Sequence, residues 1–303
     1  MSASLPVTSH QFKSPAKLNL FLHITGVRED GYHNLQTVFQ FLDIHDTLTF
    51  TNTDKNGDIR IETPIEGVPE KQNLVYKAAH LLRQRTQCKL AASISIDKQL
   101  PMGGGLGGGS SNAATTLVAL NQLWNTQLTT AELESLGLAL GADIPIFVHG
   151  NSAWAEGVGE LLTPVSIEES WYLLATPRCQ VETAELFRDK QLTRNSKPIT
   201  MRAFLDGAGH NDFEPVAKRK FPLINNTLEL LSEWGDAKLT GTGACCFCSV
   251  PNKETGEKAL RNLPQALSKL NLKPGDLDVI LTKGRNGSPL YESNMLTHKT
   301  HSL

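Results

Sequence analysis

Between Leu90 and Trp124 the chain passes from a strand pattern, through six glycines in seven positions, into an alanine-rich helical pattern. The glycines are Gly103, Gly104, Gly105, Gly107, Gly108 and Gly109, within the run PMGGGLGGGSS from Pro101 to Ser111. Glycine allows positive φ and lets backbone come close to a ligand. The unpaired amides of a helix's first turn, with about half a positive charge from its dipole, favour an anion there. A strand, a glycine loop and a helix in that order therefore predict a phosphate-binding turn. A flexible linker fits poorly, because Ser110, Ser111 and Asn112 lead directly into the helix. Ser110 and Ser111 can cap that helix, or offer hydroxyls to phosphate or magnesium; the two roles are compatible.

Two common phosphate motifs fail here. A Walker loop ends in Gly-Lys-Ser/Thr, whereas Gly109 is followed by Ser110. Gly103, Gly105 and Gly108 satisfy the dinucleotide spacing, but a string this rich in glycine does so by accident. A dinucleotide fold also needs a second strand ending in an acidic residue roughly 20 positions on. Those positions fall in the pattern of a helix over Thr129–Leu140, with Thr129 and Glu132 spaced as a capping box.

At 303 residues the chain is long enough for its core to divide. The pattern loosens around Glu160–Glu169, so two domains are expected, 10–166 and 167–298. Alternation predicts a half-buried strand over Lys17–Thr25, with Leu18, Leu20, Leu22 and Ile24 on one face and Lys17 and Asn19 on the other. Gly26–His33 reads as a turn. Further strands are expected over Thr37–Leu42, Asp46–Thr51, Leu90–Asp97, Val148–Glu156, Trp171–Thr176 and Leu277–Thr282. Helices are expected over Asn73–Arg85, Ser111–Trp124, Met201–Ala208, Pro222–Trp234 and Thr255–Asn262. A glycine-rich turn and then a strand occupy Leu239–Val250. The mixture is α+β rather than strict strand–helix alternation.

A net charge of −2, with no basic stripe, argues against a nucleic-acid partner. Lys218-Arg219-Lys220 reads as a solvated helix face. No run approaches the roughly 18 apolar residues of a membrane span. Met1–Gln11 lacks an apolar signal segment, so the expected compartment is the cytoplasm. Five cysteines, three of them close together at Cys245, Cys246 and Cys248, fit neither a disulfide framework nor paired zinc spacing. They read as small hydrophobes. His10, His23, His45, His80, His149, His210, His298 and His301 show no metal spacing and read as structural or surface residues.

PMGGGLGGGSSNAA closely resembles the central motif of the GHMP kinases, the family of galactose, homoserine, mevalonate and phosphomevalonate kinases. SPAKLNLFLHITGVREDGYHNLQTVFQ (Ser14–Gln40), GADIPIFVHG (Gly141–Gly150), NDFEPVA (Asn211–Ala217) and LTGTGACCF (Leu239–Phe247) extend the resemblance. Within the family these segments are similar to the branch that phosphorylates the 2-hydroxyl of CDP-methylerythritol, a step of the non-mevalonate route to isoprenoid precursors. The resemblance implies a two-domain α+β kinase with its site in the interdomain cleft, acting as a monomer or weak homodimer. ATP is the implied phosphoryl donor, with Mg2+. Lys17 and Asp143 match the catalytic pair. Asn73, Lys98, Pro101 to Ser111 (including Met102 and Leu106) and Asn112 match the nucleotide side. Asn19, Tyr32, His33, Asp143, Thr183, Phe187, Thr240, Gly241 and Gly243 match the substrate side, with Tyr32 and His33 on the cytosine and Phe187 on its other face. Two departures stand out: Glu182 replaces a small polar residue, and Thr240 stands where serine is expected.

The residues alone leave plainer readings open. Asp143, two positions before Pro145, can simply start a helical turn. Lys17 near the start of a strand can be a solvated edge residue. The chemistry is nonetheless coherent, because phosphoryl transfer needs positioning and charge neutralisation more than covalent help.

Overall fold

The structure is a computed structural model that describes residues 9–51 and 57–292. Its spine is an antiparallel pair of long strands, β1 (Ser9–Val27) and β2 (His33–Thr51). Gly31, at φ 84°, supplies the left-handed residue of the turn between them. β3 (Ile59–Ile61) precedes α1 (Leu74–Thr86), which is capped by the Asn73 side chain. β4 (Ala92–Asp97) runs antiparallel to β2 and parallel to β3. The glycine loop then opens α2 (Gly108–Leu123). Ala113, Ala114, Leu117, Val118, Ala119 and Leu120 are all buried, so α2 is the apolar axis of the first core and packs on α1.

α3 (Thr130–Leu138) begins with the expected capping box between Thr129 and Glu132. The strand expected over Val148–Glu156 starts later than expected: Val148 and His149 end α4 (Ile144–His149), and the strand is the shorter β5 (Ala153–Glu156). A short apolar run such as IPIFVH is ambiguous by periodicity. Pro145 in the first turn and Gly150 at φ 78° decide it as a helix with a left-handed stop. β6 (Leu161–Pro164) pairs with β5, which in turn pairs with β2.

The second half is built on β7 (Trp171–Pro177). Four helices follow: α5 (Thr183–Phe187), α6 (Met201–Leu205), α7 (Glu214–Lys220) and α8 (Pro222–Leu231). Then come β8 (Ala237–Leu239), β9 (Cys246–Val250), α9 (Lys253–Lys269) and β10 (Leu277–Arg285). β7 lies between β9 and β10, with β8 on the far side of β9. The end of β10 pairs Gly284 and Arg285 with Leu42 and Phe41 of β2, which joins the two halves' sheets. α9 extends past the expected Thr255–Asn262, through Pro264, because its Ala259, Ala266 and Leu267 are buried in the second core. Cys245, Cys246 and Cys248 are free and buried, as small hydrophobes would be.

β1 is buried on both faces rather than one. Phe12 joins the first core, while Leu22 and Ile24 join the second with Phe213 and Val216. Ala16 and Leu18 meet Tyr172, Cys245 and Phe247 in a cluster that bridges the halves. Lys17, Asn19 and His23 on the polar face are also buried. The plainer reading of Lys17 as a solvated edge residue thereby fails, because segments distant in sequence cover the strand from both sides. No described helix is long and apolar enough to cross a membrane.

Candidate active site

A cleft of about 1180 Å³ runs along the inner side of the β1–β2 spine. That exceeds the usual space for one small ligand, so two ligands of nucleotide size can meet there. Lys17, Asn19, Tyr32, His33, Asn73, Lys98, Pro101 to Ser110, Asn112, Asp143, Thr183, Phe187, Gly241 and Gly243 all line it. Of the expected site residues, only Ser111 and Thr240 do not.

The glycine loop is shaped by what lies behind it. Gly103, Gly105 and Gly107 have φ of 69°, 76° and 74°. A Cβ on Gly105 would lie 2.3 Å from the Thr240 carbonyl oxygen, and one on Gly107 would lie 2.7 Å from the Phe147 ring. Gly107 is the N-cap of α2 and offers no side chain for capping. The first helical bond is Ser111 N–H to the Gly107 oxygen at 2.8 Å. The amides of Gly108, Gly109 and Ser110 precede it and have no partner within the helix, which is the geometry an anion seat requires. Ser111 neither caps nor faces the cleft: its hydroxyl is buried against Ser14 Oγ at 2.8 Å.

The anchor of this loop is a residue the sequence reading passed over. Asp46 is fully buried. It accepts from the Gln99 amide at 2.8 Å, the Leu100 amide at 2.7 Å and Asn112 Nδ2 at 3.0 Å. It also pairs with Lys98 Nζ at 2.8 Å. Lys98 and Asn112 thus reach the cleft as parts of one network that ties β2 to both ends of the loop. Lys98 also donates to the Leu100 carbonyl at 2.7 Å, and a Cβ on Gly108 would meet its Nζ at 3.3 Å. Its ammonium group therefore sits against the first turn of α2, with one donor to spare.

On the other side of the loop, Lys17 is 2% exposed, and its Nζ lies 3.4 Å from Asp143 Oδ2. Lys17 Nζ also donates to Asn19 Oδ1 at 2.6 Å and stands 5.2 Å from the centre of the Phe39 ring. Its backbone N–H bonds the Leu106 carbonyl at 3.0 Å, which fastens the loop to β1. Asp143 occupies the N-cap position of α4, yet its side chain makes no capping bond there. It faces Lys17 and the cleft instead, with 42% of its side chain exposed. Asp143 thus starts the helical turn, as the plainer reading has it, and also presents its carboxylate to Lys17 and the cleft.

The third motif closes the same space. Thr240 is buried, its hydroxyl accepting from the Asn19 backbone at 2.9 Å. It holds β1 to the loop and does not face the cleft. Asn211, from the NDFEPVA segment, donates Nδ2 to the carbonyls of Leu239 at 2.9 Å and Gly241 at 2.8 Å. A Cβ on Gly241 would lie 3.2 Å from the Gly105 oxygen. The two glycine turns are therefore packed backbone to backbone.

At the far end, Tyr32 is 64% exposed on the β1–β2 turn. Beside it His33 packs on Phe187, with ring centroids 4.7 Å apart and planes 36° apart. A base between two rings needs about twice the ~3.5 Å contact distance. His33 and Phe187 therefore form a composite wall, and Tyr32 lines the same cleft with its ring exposed. His33 Nε2 is buried and has no hydrogen-bond partner. Burial, and secondarily the Arg194 charge, holds the His33 pKa below its ordinary value and so favours the neutral ring. A neutral ring can accept as well as donate, as the edge of a base requires. Thr183 Oγ1, at the start of α5, lies 2.9 Å from Thr242 Oγ1 and links this wall to the third motif. Glu182 is exposed and outside the cleft lining, between Val181 and Thr183, which line it. Ile65, Val68, Leu74 and Arg188 also line the cleft and were not anticipated; they come from loop and helix segments with no motif to mark them.

His23 and His210 contact each other at 3.1 Å, and His210 Nε2 lies 2.8 Å from Asp212 Oδ1. Among the described residues no group of three or more His, Cys, Asp or Glu is arranged to hold a metal ion. His298 and His301 lie outside the described residues.

The family models for the GHMP kinases N terminal domain and the GHMP kinases C terminal match residues 73–151 and 184–269. The 4-diphosphocytidyl-2-C-methyl-D-erythritol kinase of Ectopseudomonas mendocina is 50% identical over 291 residues, 96% of this chain and 96% of that protein. The enzyme of the same name from Nitrosococcus oceani is 50% identical over 92% of this chain and 96% of its own. A crystal structure of a 4-(cytidine 5'-diphospho)-2C-methyl-D-erythritol kinase superposes with a TM-score of 0.76 at 28% identity, covering 91% of this chain and all of that one. With both domains matched and half the residues identical along nearly its whole length, the chain belongs to the GHMP kinase family, and within it to the 4-diphosphocytidyl-2-C-methyl-D-erythritol kinases.

Proposed function

We propose that this cleft transfers the γ-phosphoryl group of ATP to the 2-hydroxyl of 4-diphosphocytidyl-2-C-methyl-D-erythritol, with Lys17 and Asp143 at the reacting atoms. The observation that carries the reading is the Lys17–Asp143 pair at 3.4 Å, set between a phosphate-seating loop and an aromatic wall in one cleft. The acceptor hydroxyl attacks the γ-phosphorus. Its oxygen–phosphorus bond forms as the bond to the β-bridging oxygen breaks, ADP leaves, and the hydroxyl proton passes to Asp143. Little covalent help is needed, so a carboxylate in good geometry and a fixed cation suffice. Lys17 is that cation: Asn19, Asp143 and the Phe39 ring hold it in place before the substrate arrives.

The donor lies along the other arm. The amides of Gly108, Gly109 and Ser110 seat its phosphates, with Lys98 beside them. Ile65, Val68 and Leu74 give an apolar wall for the adenine, next to Asn73. Magnesium, where it accompanies ATP, is held mostly by phosphate oxygens with few protein ligands. The residues present fit that habit: Ser110 lines the cleft with its hydroxyl unspent, whereas Ser111 is committed to Ser14. At the acceptor end Tyr32 and the His33–Phe187 wall take the cytosine. The domains meet in this reading near residue 166, and the protein works in the cytoplasm as a monomer or weak homodimer.

ADP release with the cytidyl substrate, compared with mevalonate, homoserine and galactose, tests the reading. Turnover is expected with the cytidyl substrate alone. Turnover with one of the small acceptors and none with the cytidyl substrate would leave the kinase fold and remove the specificity.

A further inference from the structure

Three cations line the cleft: Lys17, Lys98 and Arg188. Two are already matched, Lys17 with Asp143 at 3.4 Å and Lys98 with Asp46 at 2.8 Å. Arg188 has no side-chain hydrogen bond or ion pair among the described residues. The carboxylates nearest to it in sequence are engaged elsewhere. Glu185 accepts from Lys220 Nζ at 2.5 Å, and Asp189 pairs with Arg219 at 2.7 Å and Lys220 at 3.7 Å. The neighbouring Arg194 spends its guanidinium on the carbonyls of Phe187, Asp189 and Leu192. Arg188 is thus left on the cleft wall with no carboxylate bound to its guanidinium among the described residues.

Its position says what it faces. Arg188 directly follows Phe187 and ends α5, its backbone N–H bonded to the Ala184 oxygen at 3.2 Å. Phe187 belongs to the aromatic wall at the base end, and Thr183, at the other end of α5, reaches the third motif. A substrate with its base at Tyr32 and His33 and its hydroxyl at Asp143 must lay whatever joins them across this stretch. In a nucleoside-diphosphate conjugate the joining group is two phosphates. A planar guanidinium binds phosphate oxygens in a two-pronged fashion that an ammonium group cannot copy.

We propose that Arg188 is the specificity-determining residue for the diphosphate of the acceptor, and that its fork is what favours nucleoside-diphosphate conjugates over uncharged acceptors. The inference rests on the functional reading above and assigns the subsite between base and acceptor hydroxyl. An arginine at a helix end can also serve the helix dipole, but α5 has only five residues, and that role would affect stability rather than ligand charge.

The test compares wild type with Arg188→Ala and Arg188→Lys in steady-state kinetics and in calorimetric binding of CDP and cytidine. The Ala variant should raise KM for the cytidyl substrate roughly 10- to 100-fold, the value of a lost charge-assisted pair. Its kcat and its KM for ATP should stay within about twofold, because uniform binding alone is removed. Lys should rescue part of the loss. Wild type should bind CDP more tightly than cytidine, and Arg188→Ala should lose that preference while binding cytidine unchanged. An unchanged CDP preference in Arg188→Ala overturns the proposal. So does an equal weakening of cytidine and CDP, which would make Arg188 a prop for Phe187. Failure of the wild type to turn over the cytidyl substrate would instead overturn the functional reading, and the CDP-against-cytidine comparison needs no turnover.

Discussion

Lys17 and Asp143 are 126 positions apart in sequence, counted from residue numbers 17 and 143, and meet at 3.4 Å with the lysine 2% exposed and the aspartate open to the cleft. The asymmetry suits the roles proposed for them. A buried cation with fixed neighbours cannot swing away, and a carboxylate with a free face can meet a hydroxyl. Asn19 orients the lysine from β1, while Gly107 and Leu106 press the loop against the same residue.

Replacing Asp46 should damage the donor arm without touching the acceptor. Asp46→Ala strands Lys98, Asn112 and two backbone amides around a fully buried site. Removing one partner of a buried pair costs about 3–5 kcal/mol. Urea unfolding should show a loss of that order, and KM for ATP should rise more than KM for the cytidyl substrate. A variant as stable as wild type, with both KM values unmoved, would mean that Asp46 does not anchor the loop.

Two alanine substitutions in the glycine loop should separate strain from collision. Gly103 has φ 69° and open space where a Cβ would stand, so Gly103→Ala should cost only the left-handed backbone, about 1 kcal/mol. Gly105 has φ 76°, and its Cβ would lie 2.3 Å from the Thr240 oxygen, so Gly105→Ala must also push the two glycine turns apart. Thermal melts and KM for ATP should rank Gly105→Ala well below Gly103→Ala; equal effects would mean the turns are not in register.

Acid should weaken the fold through His23. Burial first, then the nearby His210, holds its pKa below the ordinary 6.5. Between the lowered value and 6.5 the unfolded chain binds more protons than the native one, so stability falls as pH drops through this window and is fully present above it. His33 shifts in the same direction and adds to the effect. Urea midpoints measured from roughly pH 7.5 to pH 5 should decline on the acid side. His23→Gln, which cannot titrate, should make that decline shallower. An identical slope in the variant would assign the acid loss to other groups.

How much of this was legible in the sequence depends on how local the cause is. The anion-seating turn and the Thr129–Glu132 capping box were readable because both are written in fewer than a dozen adjacent residues. The strand expected to begin at Val148 begins at Ala153, because Val148 and His149 finish a helix whose Pro145 start and Gly150 stop decide its bounds. The burial of Lys17 is invisible to alternation, since what meets it comes from Phe39, the loop at Leu106 and Gly107, and Asp143. Asp46 was missed for the same reason: its partners lie 52 to 66 positions downstream. Ser111 and Thr240 were matched to the site by motif, yet both turn inward and hold the motifs together. The resemblance identified segments that meet in the cleft; it could not say which of their side chains face it.

The proposed role of Asp143, to take the proton of the acceptor hydroxyl in a cleft that also seats ATP, is open to direct test. Turnover of 4-diphosphocytidyl-2-C-methyl-D-erythritol should be measured for wild type and Asp143→Asn, with ATP binding followed by calorimetry on both. The predicted result is one ADP and one 2-phosphorylated product per cycle in wild type. In the variant kcat should be lower by roughly 10²- to 10⁴-fold, the usual worth of a general base, and the ATP dissociation constant unchanged. Near-wild-type turnover by Asp143→Asn would contradict the claim.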